Sequence, residues 1–206
     1  MDYDTLASVE RINRAIVGLK SHNIRAEVVD SGVAALARIK ELIPKNVSVM
    51  NGTSRTLEQI GYIDYLKAGT HEWDNLKENI VAEKDPVKQA ELRKHSVVSE
   101  YYLGSVHALA ENGDIVVASA SGSQLPHIVF TSQNLIFVVS TKKIVPTLAD
   151  AFDRIEKHVF PLEDARMQEA YGGAHSVLAK ILILKAEPAM MKRTVQVLLV
   201  NENLGF

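Results

Sequence analysis

Residues 24–50 have the sequence IRAEVVDSGVAALARIKELIPKNVSVM, and this segment indicates the fold class. Residues 24–29 are typical of a β-strand, and Ser31 after them is an N-cap residue for a helix. The helix is predicted from apolar residues spaced three apart, which are Val33, Leu36, Ile39 and Leu42. Pro44 ends this helix, and residues 47–50 are typical of a second strand. The segment therefore predicts a strand, a helix and a second strand.

The same alternation extends on both sides of this segment. Before it, apolar residues at spacings of three and four predict a first amphipathic helix, and they are Leu6, Val9, Ile12, Ile16 and Leu19. After it, residues 51–54 break the pattern, and a third helix is predicted to begin near Arg55. This order of elements is typical of a parallel sheet with helices on its faces. The predicted fold class is therefore α/β, with a three-layer, Rossmann-like, mostly parallel sheet, helices on both faces and one β-hairpin.

The hairpin is predicted in the middle of the chain, after another helix. Asp85 followed by Pro86 is typical of a helix start, and this helix is expected to run to about Gly104. Residues 106–110 and 115–118 are short apolar runs on either side of an Asn-Gly pair, which is a strong hairpin signal. We expect the hairpin to place an antiparallel pair in the sheet.

Alternating strands and helices return in the last third of the chain. Residues 134–140 predict a strongly apolar strand, and Thr147 begins a loose capping box for another helix. Residues 181–184 and 195–200 are also strand-like. Because no internal repeat or long linker divides the chain, residues 1–206 are predicted to form one domain.

Composition excludes several classes of function. The formal net charge is -2, with acidic and basic residues interspersed, so no basic stripe indicates a nucleic-acid partner. The chain has no cysteine, which excludes thiolate zinc sites, a cysteine nucleophile and an iron–sulfur cluster held by its own thiolates. Redox chemistry would need a partner or a cofactor, and the sequence indicates no particular cofactor.

The chain also lacks signals for secretion or membrane insertion. Residues 1–4 are acidic where a secretory signal would be basic. The longest apolar runs, such as residues 135–139, are far shorter than the roughly 20 residues that span a bilayer. We therefore expect a cytoplasmic location and no membrane association.

The loop after the second predicted strand is a candidate anion site. It consists of Gly52, Thr53, Ser54, Arg55 and Thr56. Glycine admits a ligand close to the backbone, the hydroxyls donate hydrogen bonds, and the arginine can pair with an anion at a helix start. The loop therefore predicts a site for a phosphate or carboxylate. Simple helix capping by Ser54 is the alternative, and we give it equal weight.

A second loop, residues 119–124, offers the same chemistry through Ser121, Gly122 and Ser123. Its alternative is a polar turn before Pro126. Neither glycine-rich nucleotide motif is present in the chain.

Glu111 and His107 are the candidate catalytic residues. Glu111 follows a predicted strand at a tight turn, where a carboxylate can project into a cleft as an acid, a base or a nucleophile. The two-residue period of a strand places His107 on the same face, so the two side chains could form a proton-transfer pair. The alternative is an ordinary turn glutamate beside a hydrogen-bonded strand histidine. The seven histidines show no metal-ligand spacing, so no metal site is predicted.

Three blocks of this sequence resemble successive blocks of the LUD domain family, the lactate utilization proteins formerly described as a domain of unknown function. The blocks are residues 52–61, 105–116 and 143–151, and the resemblance extends from about Val47 to the end of the chain. It implies the fold shared by ribose-5-phosphate isomerase, glucosamine-6-phosphate deaminase and CoA transferases. It also implies an association with bacterial L-lactate oxidation, beside partner proteins that carry iron–sulfur clusters.

The resemblance implies site residues as well. To the first ligand loop it assigns Gly52, Thr53, Ser54, Thr56, Glu58 and Gly61. To the hairpin it assigns Glu111 and Gly113 as active-site positions. The triplet Glu111-Asn112-Gly113 is also similar to the motif whose glutamate is the nucleophile of CoA transferases.

Three functions from different classes follow. The first is an accessory protein of organic-acid metabolism, which binds a small anionic metabolite at the two loops and works with an iron–sulfur redox partner. The second is a free-standing enzyme of acyl transfer or sugar-phosphate isomerization, with Glu111 as nucleophile or base, Arg55 holding the anion and His107 assisting proton transfer. The third is a binding or structural module, expected to be a homodimer, without chemistry.

Overall fold

The computed structural model describes residues 2–206, and ten β-strands form two sheets in this part of the chain. The strands are β1 (Arg25–Val29), β2 (Ser48–Asn51), β3 (Asp74–Asn75), β4 (Tyr101–Gly104), β5 (Ala108–Ala110), β6 (Ile115–Ser119), β7 (Asn134–Ser140), β8 (Ile144–Val145), β9 (Lys180–Leu184) and β10 (Thr194–Val200). The larger sheet has six strands in the order β1-β10-β7-β4-β2-β3, and every neighbouring pair is parallel. The prediction of a parallel sheet is therefore confirmed.

The α-helices of the described residues lie around the two sheets. They are α1 (Val9–Ser21), α2 (Gly32–Leu42), α3 (Arg55–Gln59), α4 (Tyr62–Lys67), α5 (Leu76–Ala82), α6 (Pro86–His95), α7 (Leu148–Arg154) and α8 (Phe160–Ala170). The N-cap predicted at Ser31 is present, because its hydroxyl accepts from the Ala34 N–H. The capping box at Thr147 is present as well. A π-helical turn at Ile155–Val159 joins α7 to α8.

Strand β7 shows why the fold has three layers. Its alternate residues Leu135 and Phe137 pack against α1 and the smaller sheet, whereas Ile136 and Val138 pack against the residues of α2, α3 and α4. Parallel strands buried on both faces are continuous apolar runs in the sequence, as this one is. The predicted α/β fold class, with helices on both faces, is confirmed.

The hairpin predicted around the Asn-Gly pair is also confirmed, but it lies in a different place. Strands β5 and β6 pair antiparallel, with Ala108 opposite Val116. They belong to a separate four-stranded sheet in the order β8-β5-β6-β9, and not to the parallel sheet. Leu109 on one face joins the core under α1, and Ala108 on the other face packs against α7. Both faces of the hairpin are thus buried, which a local turn signal does not reveal.

The prediction of a helix that runs from Asp85 to about Gly104 is wrong in its second half. Helix α6 ends at His95 and has no buried residue, and Tyr101–Gly104 is a central strand. Tyr102 and Leu103 are buried, and the backbone of β4 pairs with β2 and β7 on its two sides. Short apolar runs fit a helix or a strand equally well, and here the pairing with distant strands decides.

The predicted third helix is divided in two. Gly61 has a φ of 79°, in the left-handed region, and it separates α3 from α4.

Over residues 2–206, no helix combines the length and the apolar content that crossing a bilayer requires.

Candidate functional site

A cavity of about 540 Å³ opens where the parallel strands β2 and β4 end, and we call it the central cavity. Its wall includes Gly52 after β2, Ser105 after β4, Lys143 after β7 and Phe206 beyond β10. Open α/β sheets bind their ligands at this carboxyl end of the strands. The position of the cavity therefore makes it the candidate site.

The structure brings the two predicted loops together, since both contribute to the wall of the central cavity. Of the predicted site residues, those in the wall are Gly52, Thr53, Ser54, Arg55, Thr56, His107, Ser121 and Ser123. The wall does not include Glu58, Gly122, Glu111 or Gly113. The candidate catalytic pair is therefore divided between two parts of the molecule.

The first loop combines capping with close backbone contact. The Ser54 hydroxyl accepts from the Leu57 N–H at 3.3 Å, so Ser54 does cap α3. Arg55 donates to Glu58 at 2.7 Å, which explains the position of Glu58 and partly neutralises the arginine. Helix α3 has only five residues, so its dipole is small. A Cβ at position 52 would lie 2.6 Å from the Tyr102 hydroxyl oxygen, so a larger residue there would displace the end of the Tyr102 side chain.

The second loop is held by its own hydrogen bonds. The Gly122 N–H donates to the Ser119 hydroxyl at 2.8 Å, and the Ser121 and Ser123 hydroxyls lie 3.1 Å apart. Gly122 has a φ of 83°, which only glycine adopts easily. Ser121 and Ser123 are exposed at the cavity wall, and the Ser121 hydroxyl donates to the Ser123 hydroxyl.

Lys143 is the most unusual residue in the cavity wall. Its side chain is buried, and Nζ donates to Thr56 Oγ1 at 3.1 Å, to Ser105 Oγ at 3.1 Å and to the Val106 carbonyl at 3.2 Å. No carboxylate among residues 2–206 pairs with it. Burial lowers the pKa of Lys143 well below its ordinary value, and the charge of Arg154 acts in the same direction. An anion in the cavity would supply the missing counter-charge.

The remaining charges of the wall are also mostly basic. Apart from Lys143, the basic side chains are Arg55, Lys77, Arg93 and Arg166. Glu163 is the acidic side chain of the wall, and Arg166 neutralises it through hydrogen bonds of 2.7 Å and 2.6 Å. Lys77 and Arg93 form no ion pair among the described residues, and burial lowers the pKa of Lys77. The cavity therefore carries a net positive charge and favours anions.

His107 and His127 are neutral polar groups of the same wall. Burial lowers the pKa of His107 to about 3 and that of His127 to about 4. The His127 ring stacks on Tyr102, with 4.6 Å between ring centroids. Its Nδ1 lies within hydrogen-bond distance of the Ser99 and Ser132 hydroxyls, at 3.2 Å and 3.0 Å. These contacts hold both aromatic side chains in one orientation at the cavity floor.

Glu111 lies outside the central cavity, against helix α1. One carboxylate oxygen accepts from Arg11 Nε at 2.8 Å and the other from Arg14 Nε at 2.5 Å. The hydrogen bond from Arg14 lowers the pKa of Glu111, and Arg11 adds to the effect. The carboxylate is thus ionised and occupied by two guanidinium groups. It lines a separate and more open groove, together with Asn13 and Pro146.

Gly113 has a packing role in the same contact. A Cβ at Gly113 would lie 2.4 Å from the carbonyl carbon of Gly18, and a Cβ at Gly18 would lie 2.3 Å from the carbonyl carbon of Asn112. The hairpin turn and α1 therefore touch backbone to backbone. The Glu111-Asn112-Gly113 triplet docks the hairpin on the helix.

Sequence reasoning missed several side chains of the cavity. They are Lys77, Arg93, Tyr102, His127 and Lys143. For Lys143 a signal existed, because a lysine pair lies one residue beyond the most apolar predicted strand, at the edge where ligands bind. For Tyr102 none existed once its segment was predicted as helix. Over residues 2–206, no three His, Asp or Glu side chains lie together in a way that could hold a metal ion.

Comparison with known proteins identifies the family. The crystal structure of a DUF162 family protein from Deinococcus radiodurans is similar, with a TM-score of 0.57 and 12% sequence identity, over 96% of this chain and 100% of that chain. At this identity the likeness concerns the fold. No curated protein matches the sequence. The LUD domain profile matches residues 12–174. The chain therefore belongs to the LUD domain family.

Proposed function

We propose that the central cavity binds a small anionic metabolite, a carboxylate or a phosphate. The observation that carries this proposal is the charge of the wall, where Lys77, Arg93 and Lys143 have no carboxylate partner among the described residues, whereas Arg55 and Arg166 are paired with Glu58 and Glu163. In a partly closed cavity such charges interact more strongly with a ligand than they would in bulk water. Binding a ligand of opposite charge would relieve the repulsion between them.

The size of the cavity agrees with a metabolite larger than a single ion. Its volume of about 540 Å³ lies within the roughly 300–1,000 Å³ that is usual for small-molecule sites. Hydroxyl and amide groups on the two loops supply neutral donors beside the charges. The ligand class we favour is thus an organic acid or a phosphorylated small molecule.

We further propose that the protein works in lactate or organic-acid utilization with a separate redox partner. Membership of the LUD domain family supports the metabolic context. The absence of cysteine supports a separate carrier for any iron–sulfur cluster. A mechanism through Glu111 in the central cavity has less support, because this carboxylate does not reach the wall and is held by two arginines.

A thermal-unfolding screen tests the binding proposal. The ligands are lactate, pyruvate, inorganic phosphate, dihydroxyacetone phosphate, glycerol 3-phosphate and CoA. A ligand at about 100 times its Kd stabilises by roughly 2.7 kcal/mol, which raises the midpoint by several degrees in a chain of this length. We expect the shift to disappear in the double variant Lys77→Ala with Arg93→Ala.

Lys67→Ala is the matched control, because Lys67 is exposed and lies outside the cavity wall. It should leave the shift unchanged. A shift that survives the double variant, or that never occurs with any anion, would contradict the proposed site.

A further inference from the structure

His107 lies in the cavity wall with its backbone held on both sides. Its N–H donates to the Val116 carbonyl at 3.0 Å. Its carbonyl accepts from Nη1 of the fully buried Arg154 at 2.5 Å. The position of the ring at the cavity is therefore set by the hairpin and by α7, and not by a flexible loop.

One contact determines which nitrogen of the ring carries the proton. The Ala118 N–H donates to His107 Nδ1 at 3.0 Å. A backbone N–H can only donate, so Nδ1 must present its lone pair, and in the neutral ring the proton is on Nε2. Burial lowers the pKa of the ring most, and Lys143 and Arg154 act in the same direction, so the ring is neutral near pH 7.

The other ring nitrogen is available to a ligand. Nε2 has no hydrogen-bond partner within residues 2–206, yet it is not among the enclosed polar atoms, and the side chain is only partly buried. Lys143 Nζ is anchored to the carbonyl of the preceding residue, Val106. The three hydrogens of Lys143 Nζ are already donated to Thr56, Ser105 and Val106, so the His107 Nε2–H is the free donor at this part of the wall.

We propose that His107 is a hydrogen-bond donor for an acceptor oxygen of the ligand, and that the ligand is an anion bearing a carbonyl group. This inference rests on the proposed anion-binding function and narrows its ligand class. A carbonyl oxygen accepts hydrogen bonds and has no proton, so it matches an N–H group that can only donate. A ligand hydroxyl could accept the same hydrogen bond, but its own proton would then need a separate acceptor, which the neighbouring Lys143 ammonium group does not offer.

The proposal assigns His107 a role different from that of a proton acceptor. The nitrogen that could accept a proton already receives the Ala118 N–H, and Glu111 does not reach the ring's side of the hairpin turn. A neutral imidazole that donates through Nε2 polarises a carbonyl instead, which favours reactions that build negative charge on that oxygen.

The first test is nitrogen NMR of protein labelled at its histidines, with His107 assigned from the His107→Gln variant. We expect the neutral Nε2–H tautomer at every pH between about 5 and 8, because the ring pKa lies far below that range. An Nδ1–H tautomer, or an imidazolium forming in that range, would overturn the proposal. This test needs no ligand and is independent of the proposed function.

The second test compares two matched ligand pairs by calorimetric titration. Pyruvate and lactate form a carboxylate pair, and dihydroxyacetone phosphate and glycerol 3-phosphate form a phosphate pair. In each pair one ligand has a carbonyl where the other has a hydroxyl, and the pair that binds identifies the anionic group. We expect the carbonyl member to bind about five- to tenfold more tightly, the effect of one net hydrogen bond.

Two substitutions at His107 test the Nε2–H donor separately from the Nδ1 acceptor. His107→Gln keeps an N–H donor near the position of Nε2, and His107→Asn keeps only the acceptor for the Ala118 N–H. We expect the carbonyl preference to survive in the Gln variant and to vanish in the Asn variant, with similar unfolding midpoints. Anion binding that depends on Lys77 and Arg93 but shows no carbonyl preference would leave the proposed function standing and overturn this inference. Absence of binding by all four ligands would overturn this inference, and it would overturn the proposed function as well only if phosphate and CoA also gave no thermal shift.

Discussion

The contact between the hairpin turn and α1 leads to a prediction about two glycines with the same backbone angle. Gly113 and Gly173 both have a φ of 93°, so the left-handed conformation strains alanine at both positions. At Gly113 the new Cβ would lie 2.4–2.7 Å from backbone atoms of Gly18 and Leu19, whereas at Gly173 nothing lies within 4 Å. Comparing the two alanine variants therefore isolates the backbone contact.

The expected magnitudes differ for this reason. The left-handed conformation alone costs alanine about 1–2 kcal/mol, and we expect this loss for Gly173→Ala. Gly113→Ala should lose a further 1–3 kcal/mol or so, because inserting a methyl group into a packed contact displaces its neighbours. In a chain of this size the additional loss lowers the unfolding midpoint by roughly 2–12 °C.

Urea unfolding of the two variants and the unsubstituted protein, followed by circular dichroism, measures these losses. Equal stability of the two variants would refute the close contact between α1 and the hairpin. It would also remove the packing explanation for Gly113 and restore weight to a ligand-binding role at that position.

Two further predictions concern Glu111 and His127. Glu111→Gln should leave the ligand-induced thermal shift unchanged, because Glu111 lies outside the cavity wall, and loss of that shift would return the residue to the binding site. Burial lowers the pKa of His127 from 6.5 to about 4, so the unfolded chain binds more protons than the folded chain between these values, and stability should fall as the pH falls through them. His127→Phe retains an aromatic ring on Tyr102 without a titrating group, and urea unfolding at several pH values should show a shallower decline across this range. An unchanged decline would show that other groups, such as His107, account for it.

The parts of the fold that were predicted correctly depend on neighbours in the chain. The N-cap at Ser31, the capping box at Thr147 and the hairpin around Gly113 each involve residues only a few positions apart. The residues that form these hydrogen bonds are therefore found within one short stretch of sequence. The interpretation of residues 96–104 as helix failed because β4 is stabilised by strands that lie far away in sequence. A single domain over residues 1–206 stays a prediction.

The residues of the candidate site were also predicted only in part. The loop at Gly52 and the candidate His107 could be found from residue types and strand ends, and both line the central cavity. Glu111 was selected for the same kind of reason, yet its strand end faces α1 instead of the cavity. A strand end predicts that a side chain can reach a surface, but it does not predict which surface.

The sequence by itself determined the α/β class, the starts of several helices and the lack of thiolate chemistry. Apolar periodicity and capping involve residues that are close together in the sequence, and composition does not depend on the order of residues at all. Only the tertiary structure decided that β10 enters the sheet between β1 and β7, and that the hairpin forms a second sheet. It also decided that Lys143 meets Thr56 across 87 positions of chain. Such contacts form because the packing of apolar faces sets the strand order, and no local pattern contains that order.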